Sequence, residues 1–134
     1  MEKLIDSVLV AENYQVNIQS SHHQILADEP EDLGGKNTGM TPYELLSASL
    51  AACTSITLKM YTERKQWNVG EIHVAISFEE ISESGTKKAK FIREIYFSNE
   101  IGETEKERLK QIAEACPVSK ILKSGENTIE TIIK

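Results

Sequence analysis

The sequence predicts an α+β fold in which short antiparallel strands are arranged around one long helix. Three observations carry the prediction. Apolar and polar residues alternate in two blocks, within residues 8–27 and 72–97. A helix-opening motif at Thr41-Pro42-Tyr43-Glu44 introduces an apolar and small-residue stretch from Leu45 to Met60. A second amphipathic pattern follows the later strands from Glu103 onward.

In the first block, Val8 and Val10, then Tyr14, Val16 and Ile18, then Ile25 and Ala27 are separated by Glu12-Asn13 and by Ser20-Ser21-His22-His23, which reads as three short strands. Asp28 to Met40 contains Pro30, Gly34, Gly35 and Gly39 and is long for a connection, a length that often accompanies function. Its Gly34-Gly35-Lys36 segment lacks the Gly-Lys-Ser/Thr ending of a phosphate loop. Thr41 then supplies a capping hydroxyl, Pro42 suits the first helical position, and Glu44 completes a capping box. Apolar or small side chains cover most of the helix from Leu45 to Met60, so it is expected to be largely buried. Its small residues, Ser47, Ala48, Ser49, Ala51 and Ala52, would let another backbone approach, including the same helix of a second subunit.

Ile72, Val74, Ile76 and Phe78 form one apolar strand face, and Ser84-Gly85 marks the turn to a second strand at about Lys87–Phe97. Arg93 shares the phase of Ala89, Phe91, Ile95 and Phe97, which puts a guanidinium on the buried face. The helix from Glu103 turns Leu109, Ile112 and Ala113 inward, Pro117 opens a short helix through Leu122, and Asn127–Ile133 is expected to close as a strand. No repeat, low-complexity tract or linker divides the 134 residues, so a single domain over 1–134 is expected.

With 15 basic and 21 acidic residues the net charge is -6, which argues against non-specific binding of nucleic acid. The amino terminus has no signal-peptide pattern and no segment is long enough to span a membrane, so a soluble cytoplasmic protein is expected. In that reducing compartment two cysteines point to redox, catalytic or metal chemistry before a structural bridge. Cys116 precedes Pro117 and so takes a helix cap, where free N–H groups and the helix dipole favour a thiolate. The same position also suits a buried cysteine at a helix junction, and the local pattern does not choose between them. Cys53 lies mid-helix, with no free N–H groups, and by local sequence is more a packing residue. Activating it needs a partner brought by the fold: Glu44, Arg93, Lys36 or a histidine. Glu44 precedes Cys53 by nine residues, about half a turn out of phase and roughly 13 Å away along the axis, which rules out a direct base on the same straight helix. His22-His23 lacks CxxC or HxxxH spacing and reads as a turn pair, and His73 as a solvent-facing strand residue.

Taken together, Gly39-Met40-Thr41-Pro42-Tyr43-Glu44-Leu45-Leu46, Ala48-Ser49-Leu50-Ala51-Ala52-Cys53-Thr54 and Cys116-Pro117-Val118-Ser119-Lys120-Ile121-Leu122 resemble the family of osmotically induced protein C and the organic hydroperoxide resistance proteins, OsmC/Ohr. The resemblance follows the element order along nearly the whole chain. It implies an OsmC-like intertwined homodimer with the long helices packed centrally and sites at the subunit interface. It implies an antioxidant peroxidase for organic hydroperoxides that needs neither metal nor flavin. In that reading Cys53 is the peroxidatic cysteine, Cys116 resolves its sulfenic acid to a disulfide, and an external dithiol, in the family often a lipoyl protein, reduces the disulfide. Glu44 matches a glutamate that holds an arginine beside the peroxidatic sulfur. In characterised members that arginine lies before the long helix, whereas this chain has none before Arg64, which leaves Lys36 and Arg93 as the candidate cations. The absent arginine also motivates a second expectation, a dimer serving as a small-molecule binder or redox sensor without efficient turnover.

Overall fold

The computed structural model describes residues 2–10 and 12–134. Its order is β1 (Asp6–Val8), β2 (Val16–Gln19), β3 (Gln24–Ala27), a 3-10 turn (Glu31–Leu33), α1 (Pro42–Lys65), β4 (Ile72–Glu83), β5 (Thr86–Phe97), α2 (Glu103–Glu114) and α3 (Pro117–Ser124). The strands form two antiparallel sheets, β1-β2-β3 and β4-β5, so the expected mixture of antiparallel sheets and a long helix is present. The chain divides into two compact units, one through Leu46 and one from Ser47 to Lys134, with the boundary inside α1.

In the first unit β2 pairs with both neighbours, Ser7 opposite Ile18 and Ile18 opposite Ile25. His22 and His23 lie in the turn between β2 and β3. The loop after β3 is organised by the buried Asp28. Its carboxylate accepts from the backbone N–H groups of Glu29 (2.8 Å), Lys36 (3.2 Å) and Thr38 (3.1 Å) and from the Thr38 hydroxyl (2.7 Å). The hydrogen bond from the Thr38 side chain is the largest influence holding the Asp28 carboxyl below its ordinary pKa, ahead of burial, which acts the other way. A Cβ on Gly39 would overlap the Leu26 carbonyl, so the loop can return beside β3 only with glycine there. Asp28→Ala removes the common acceptor and is expected to accelerate amide hydrogen exchange at Lys36 and Thr38. Unchanged protection of those two amides would show that the loop is held by something else.

In the second unit β4 and β5 form a long hairpin in continuous register from Ile72 opposite Phe97 to Glu83 opposite Thr86. Its two-residue turn has Ser84 at φ 51° and Gly85 at φ 79°, the positive pair a type I′ turn requires to match strand twist. On the outer face His73 stacks on Tyr96, with ring centroids 4.4 Å apart. The core is a cluster of Leu58, Tyr61, Val69, Leu109 and Ala113, with Trp67, Ile95 and Phe97 packed against it. Helices α1 and α2 therefore meet the hairpin through the positions their apolar periodicity marks. The Tyr61 hydroxyl, inside this cluster, accepts from Arg108 Nε at 3.0 Å, which satisfies its polar end.

Two expectations differ from the structure. Helix α1 buries Leu50, Thr54, Leu58, Tyr61 and Thr62 along one face, while Ile56 and Met60 are 55% and 67% exposed, so one chain does not bury most of its circumference. The expected strand at Asn127–Ile133 does not form: α3 ends at Ser124, capped by Gly125 at φ 69°, and the residues after it join no ladder among the described residues. A strand needs a partner edge, and the adjacent Ile132 and Ile133 break the two-residue period that would turn one face inward. Ile129 and Ile133 are accordingly 94% and 93% exposed.

Candidate functional site

Three elements of the second unit converge on the Cys116 sulfur. Cys116 caps α3 with extended backbone dihedrals, φ -62° and ψ 143°, followed by Pro117 at the first helical position. A capping side chain meets an N–H of the first turn, and here Ser119 N–H donates to Cys116 Sγ at 3.4 Å. The Ser119 hydroxyl lies 3.3 Å from the same sulfur. Thr54 on α1 comes within 3.9 Å of it, after giving its own hydroxyl proton to the Leu50 carbonyl at 2.7 Å. From β5, Arg93 reaches in with the inward phase expected of it. Its Nη1 donates to Ser119 Oγ at 2.7 Å and Thr54 Oγ1 at 2.9 Å, and stands 3.9 Å from Cys116 Sγ.

Burial is the largest influence on the Cys116 thiol and pushes its pKa up. The hydrogen bonds from the Ser119 side chain and backbone, from Cys53 and from Thr54 together outweigh it and bring the value down to about 7. Cys116 is fully buried, whereas Cys53 is partly exposed, and neither is in a disulfide. The Cys53 side chain, one residue from Thr54 on α1, lies close enough to the Cys116 thiol to lower its pKa, so sulfurs far apart in sequence share one site.

Of the residues singled out by sequence, Cys53, Cys116 and Arg93 are therefore brought together. Glu44 and Lys36 belong to the first unit. Glu44 closes the capping box: its Oε1 accepts from Thr41 N–H at 3.1 Å, and its own N–H donates to Thr41 Oγ1 at 3.2 Å. Lys36 pairs with Glu12. Thr54 and Ser119 are site residues that sequence reasoning did not single out. Ser119 had a signal, since the third residue after a cap is where a capping side chain finds its N–H. Thr54 had none, because its part depends on β5 crossing the helix face. A groove of about 810 Å³ lined by Ile95, Phe97, Ile101, Leu109, Lys106 and Lys110 also touches Arg93, but neither cysteine lines it. Among the described residues no group of three or more His, Cys, Asp or Glu is placed to share a metal ion, and no helix is long and apolar enough to cross a membrane.

Solved structures with the same fold place these elements among known proteins. An osmotic stress induced and detoxification response protein from Psychrobacter arcticus superposes with a TM-score of 0.78 at 17% identity, over 90% of this chain and 88% of that one. An organic hydroperoxide resistance protein OsmC from Legionella pneumophila gives 0.70 at 17% identity, covering 92% and 90%. An OsmC-like protein from Mycoplasma pneumoniae gives 0.71 at 23% identity, covering 90% and 87%. No curated protein sequence matches the chain. The model of the OsmC-like protein family matches residues 35–131, which take in α1, the hairpin and both cysteines, and the chain belongs to that family.

Proposed function

We propose that this protein is a thiol-dependent peroxidase that reduces organic hydroperoxides. The observation that carries the reading is that Cys53, free and partly exposed, lies near enough to the free, buried Cys116 to lower its pKa, while the Arg93 guanidinium stands 3.9 Å from the Cys116 sulfur. Cys53, the accessible sulfur, attacks the terminal peroxide oxygen as its thiolate. The O–O bond breaks, the alcohol departs after taking a proton, and Cys53 is left as a sulfenic acid. Cys116 then forms the disulfide, and an external dithiol restores both thiols. The substrate class is supported by the neighbour from Legionella pneumophila, which carries organic hydroperoxide resistance in its name. A reducing compartment, the cytoplasm, suits two cysteines held free.

We further propose a homodimer. Its support is the exposed side of α1, where Ile56 and Met60 lie one turn apart and face away from the core.

The test is hydroperoxide consumption with a dithiol reductant. Cys53→Ser is expected to abolish it, and Cys116→Ser to consume about one equivalent and then stall. A sulfenic-acid trap should mark position 53 in the Cys116→Ser protein. Full turnover by Cys53→Ser, or a trap adduct at Cys116 in the wild-type protein, would sink the assignment.

A further inference from the structure

We propose that Arg93, acting with Ser119, holds Cys116 as the attacking thiolate when the disulfide forms and as the leaving thiolate when it is reduced. The proposal rests on the peroxidase reading of this site and assigns its cation to the second half of the cycle. It starts from an unbalanced charge. Arg93 is partly buried, and among the described residues it makes no ion pair with any carboxylate; its Nη1 acceptors are two hydroxyls and a sulfur. A guanidinium partly withdrawn from water takes acceptors on the protein in place of those lost. Of its three acceptors only the sulfur can become an anion.

The proton inventory points the same way. Thr54 directs its hydroxyl proton to the Leu50 carbonyl at 2.7 Å and accepts from Arg93, so its 3.9 Å contact with the sulfur is the smallest of the influences that lower the Cys116 pKa. Ser119 also accepts from Arg93, yet its own proton is free, and 3.3 Å away is Cys116 Sγ. With the thiol neutral, the S–H donates to Ser119. With the thiol ionised, Ser119 turns its proton to the sulfur while Arg93 polarises that hydroxyl from behind. The Ser119 backbone N–H is a donor that needs no rearrangement. Among the described residues, the titratable or charged groups placed at the sulfur are Arg93 and Cys53. A thiol pKa of about 7, held down against burial first by the Ser119 hydroxyl and then by its backbone N–H, agrees with the Ser119 part of this geometry.

In the forward step the Cys116 thiolate attacks the Cys53 sulfur. The S–S bond forms, the S–O bond breaks, and the departing hydroxide takes a proton to become water, so the sulfenic sulfur is reduced and Cys116 oxidised. In the return step a thiolate of the dithiol attacks Cys53, the more exposed sulfur. The S–S electron pair passes to Cys116, which re-enters its cradle as an anion. The second thiol of the reductant, as its thiolate, then breaks the mixed disulfide, releasing Cys53 with a closed disulfide on the reductant. A low pKa helps both steps, supplying thiolate for attack and a better leaving group for reduction.

The experiment is a quenched single turnover with cumene hydroperoxide between pH 5.5 and 9.5, following formation of the Cys53–Cys116 disulfide by mass spectrometry. Wild-type disulfide formation is expected to rise with a midpoint near 7, following the Cys116 thiol. Arg93→Met is expected to slow it at neutral pH by roughly fivefold or more, the loss of thiolate being partly offset by greater intrinsic nucleophilicity, and to move the midpoint toward 9. Arg93→Lys should recover part of the shift, and Ser119→Ala, which removes the hydroxyl but keeps the backbone N–H, should also raise the midpoint. A wild-type rate and midpoint in Arg93→Met would overturn the proposal. Two readouts need no peroxide: thiolate absorbance at 240 nm in Cys53→Ser titrated with and without Arg93→Met, and dithiothreitol reduction of the disulfide formed with diamide. If no hydroperoxide yields a sulfenic acid, the peroxidase reading fails while these still decide the cradle. An unmoved titration midpoint overturns it, and a raised midpoint with slower reduction upholds it.

Discussion

Leu58→Ala is expected to lower the unfolding free energy by about 3–5 kcal/mol, the range for a fully buried leucine whose surroundings collapse only partly. Leu58 has no exposed surface and sits in the cluster with Tyr61, Val69, Leu109 and Ala113, so the cavity would open where α1 meets α2. The loss should reach the chemistry as well. Thr54 is one turn before Leu58 on the same helical face, and the 2.9 Å bond from Arg93 depends on that face staying pressed toward β5. Urea unfolding would measure it, and a loss under about 1 kcal/mol would contradict the packing described. Ile56→Ala, two residues away but on the exposed side, is the contrast. In an isolated chain it should cost no more than about 0.5 kcal/mol. A larger loss that depends on protein concentration is the expected signature of the proposed dimer.

Much of the fold was legible because local chemistry and tertiary demand agree in it. Thr41, Pro42 and Glu44 announced a helix start, and their side chains close the capping box. Two-residue periodicity on either side of Ser84-Gly85 predicted a hairpin and, through the phase of Phe91 and Ile95, put Arg93 on its inner face. Cys116-Pro117 predicted a capping cysteine. What escaped was set by partners distant in sequence. The alternation at Asn127–Ile133 looks like a strand, but pairing is a property of two segments and none is offered to it among the described residues. The apolar circumference of α1 signalled burial, yet periodicity does not say whether the same chain covers each side.

The site divides along the same line. The three residues brought together in the second unit were marked by type, since two cysteines and an inward arginine are each unusual in their settings. The sequence offered Arg93 as one of two candidate cations for Cys53, and the structure has it donating toward Cys116, the thiol whose pKa Cys53 also lowers. In the proposed cradle Arg93 is held beside Cys116 by Thr54 and Ser119, ordinary hydroxyl residues with no signature of chemistry. The cap turns Cys116 toward them, whereas an α-helical backbone offers Cys53 no free N–H group.

Stability of the reduced protein is expected to rise between pH 7 and pH 9 by an increment that disappears in Cys116→Ser. The folded-state pKa of this thiol, about 7, lies below its ordinary value of 9.0, so folding favours the ionised form. Above pH 9 both states are ionised and the whole contribution is present. As pH falls through the window the unfolded chain takes up the proton first, which by linkage reduces stability, and below pH 7 both states are protonated and nothing remains. At about 1.4 kcal/mol per unit, a displacement of roughly two units corresponds to about 2–3 kcal/mol across the window. The measurement is urea unfolding at pH 6, 7, 8 and 9.5 with both thiols kept reduced by a phosphine, taking the difference between wild type and Cys116→Ser at each pH. Groups that do not interact with Cys116 cancel in that difference, and Cys53, which does interact with it, is removed from the comparison by repeating it in the Cys53→Ser background. A flat difference would mean that the thiolate gains nothing from Arg93, Ser119 and the α3 cap. A rise confined to the interval between 7 and 9 would tie the stability of the second unit to the same ionisation that prepares Cys116 for exchange.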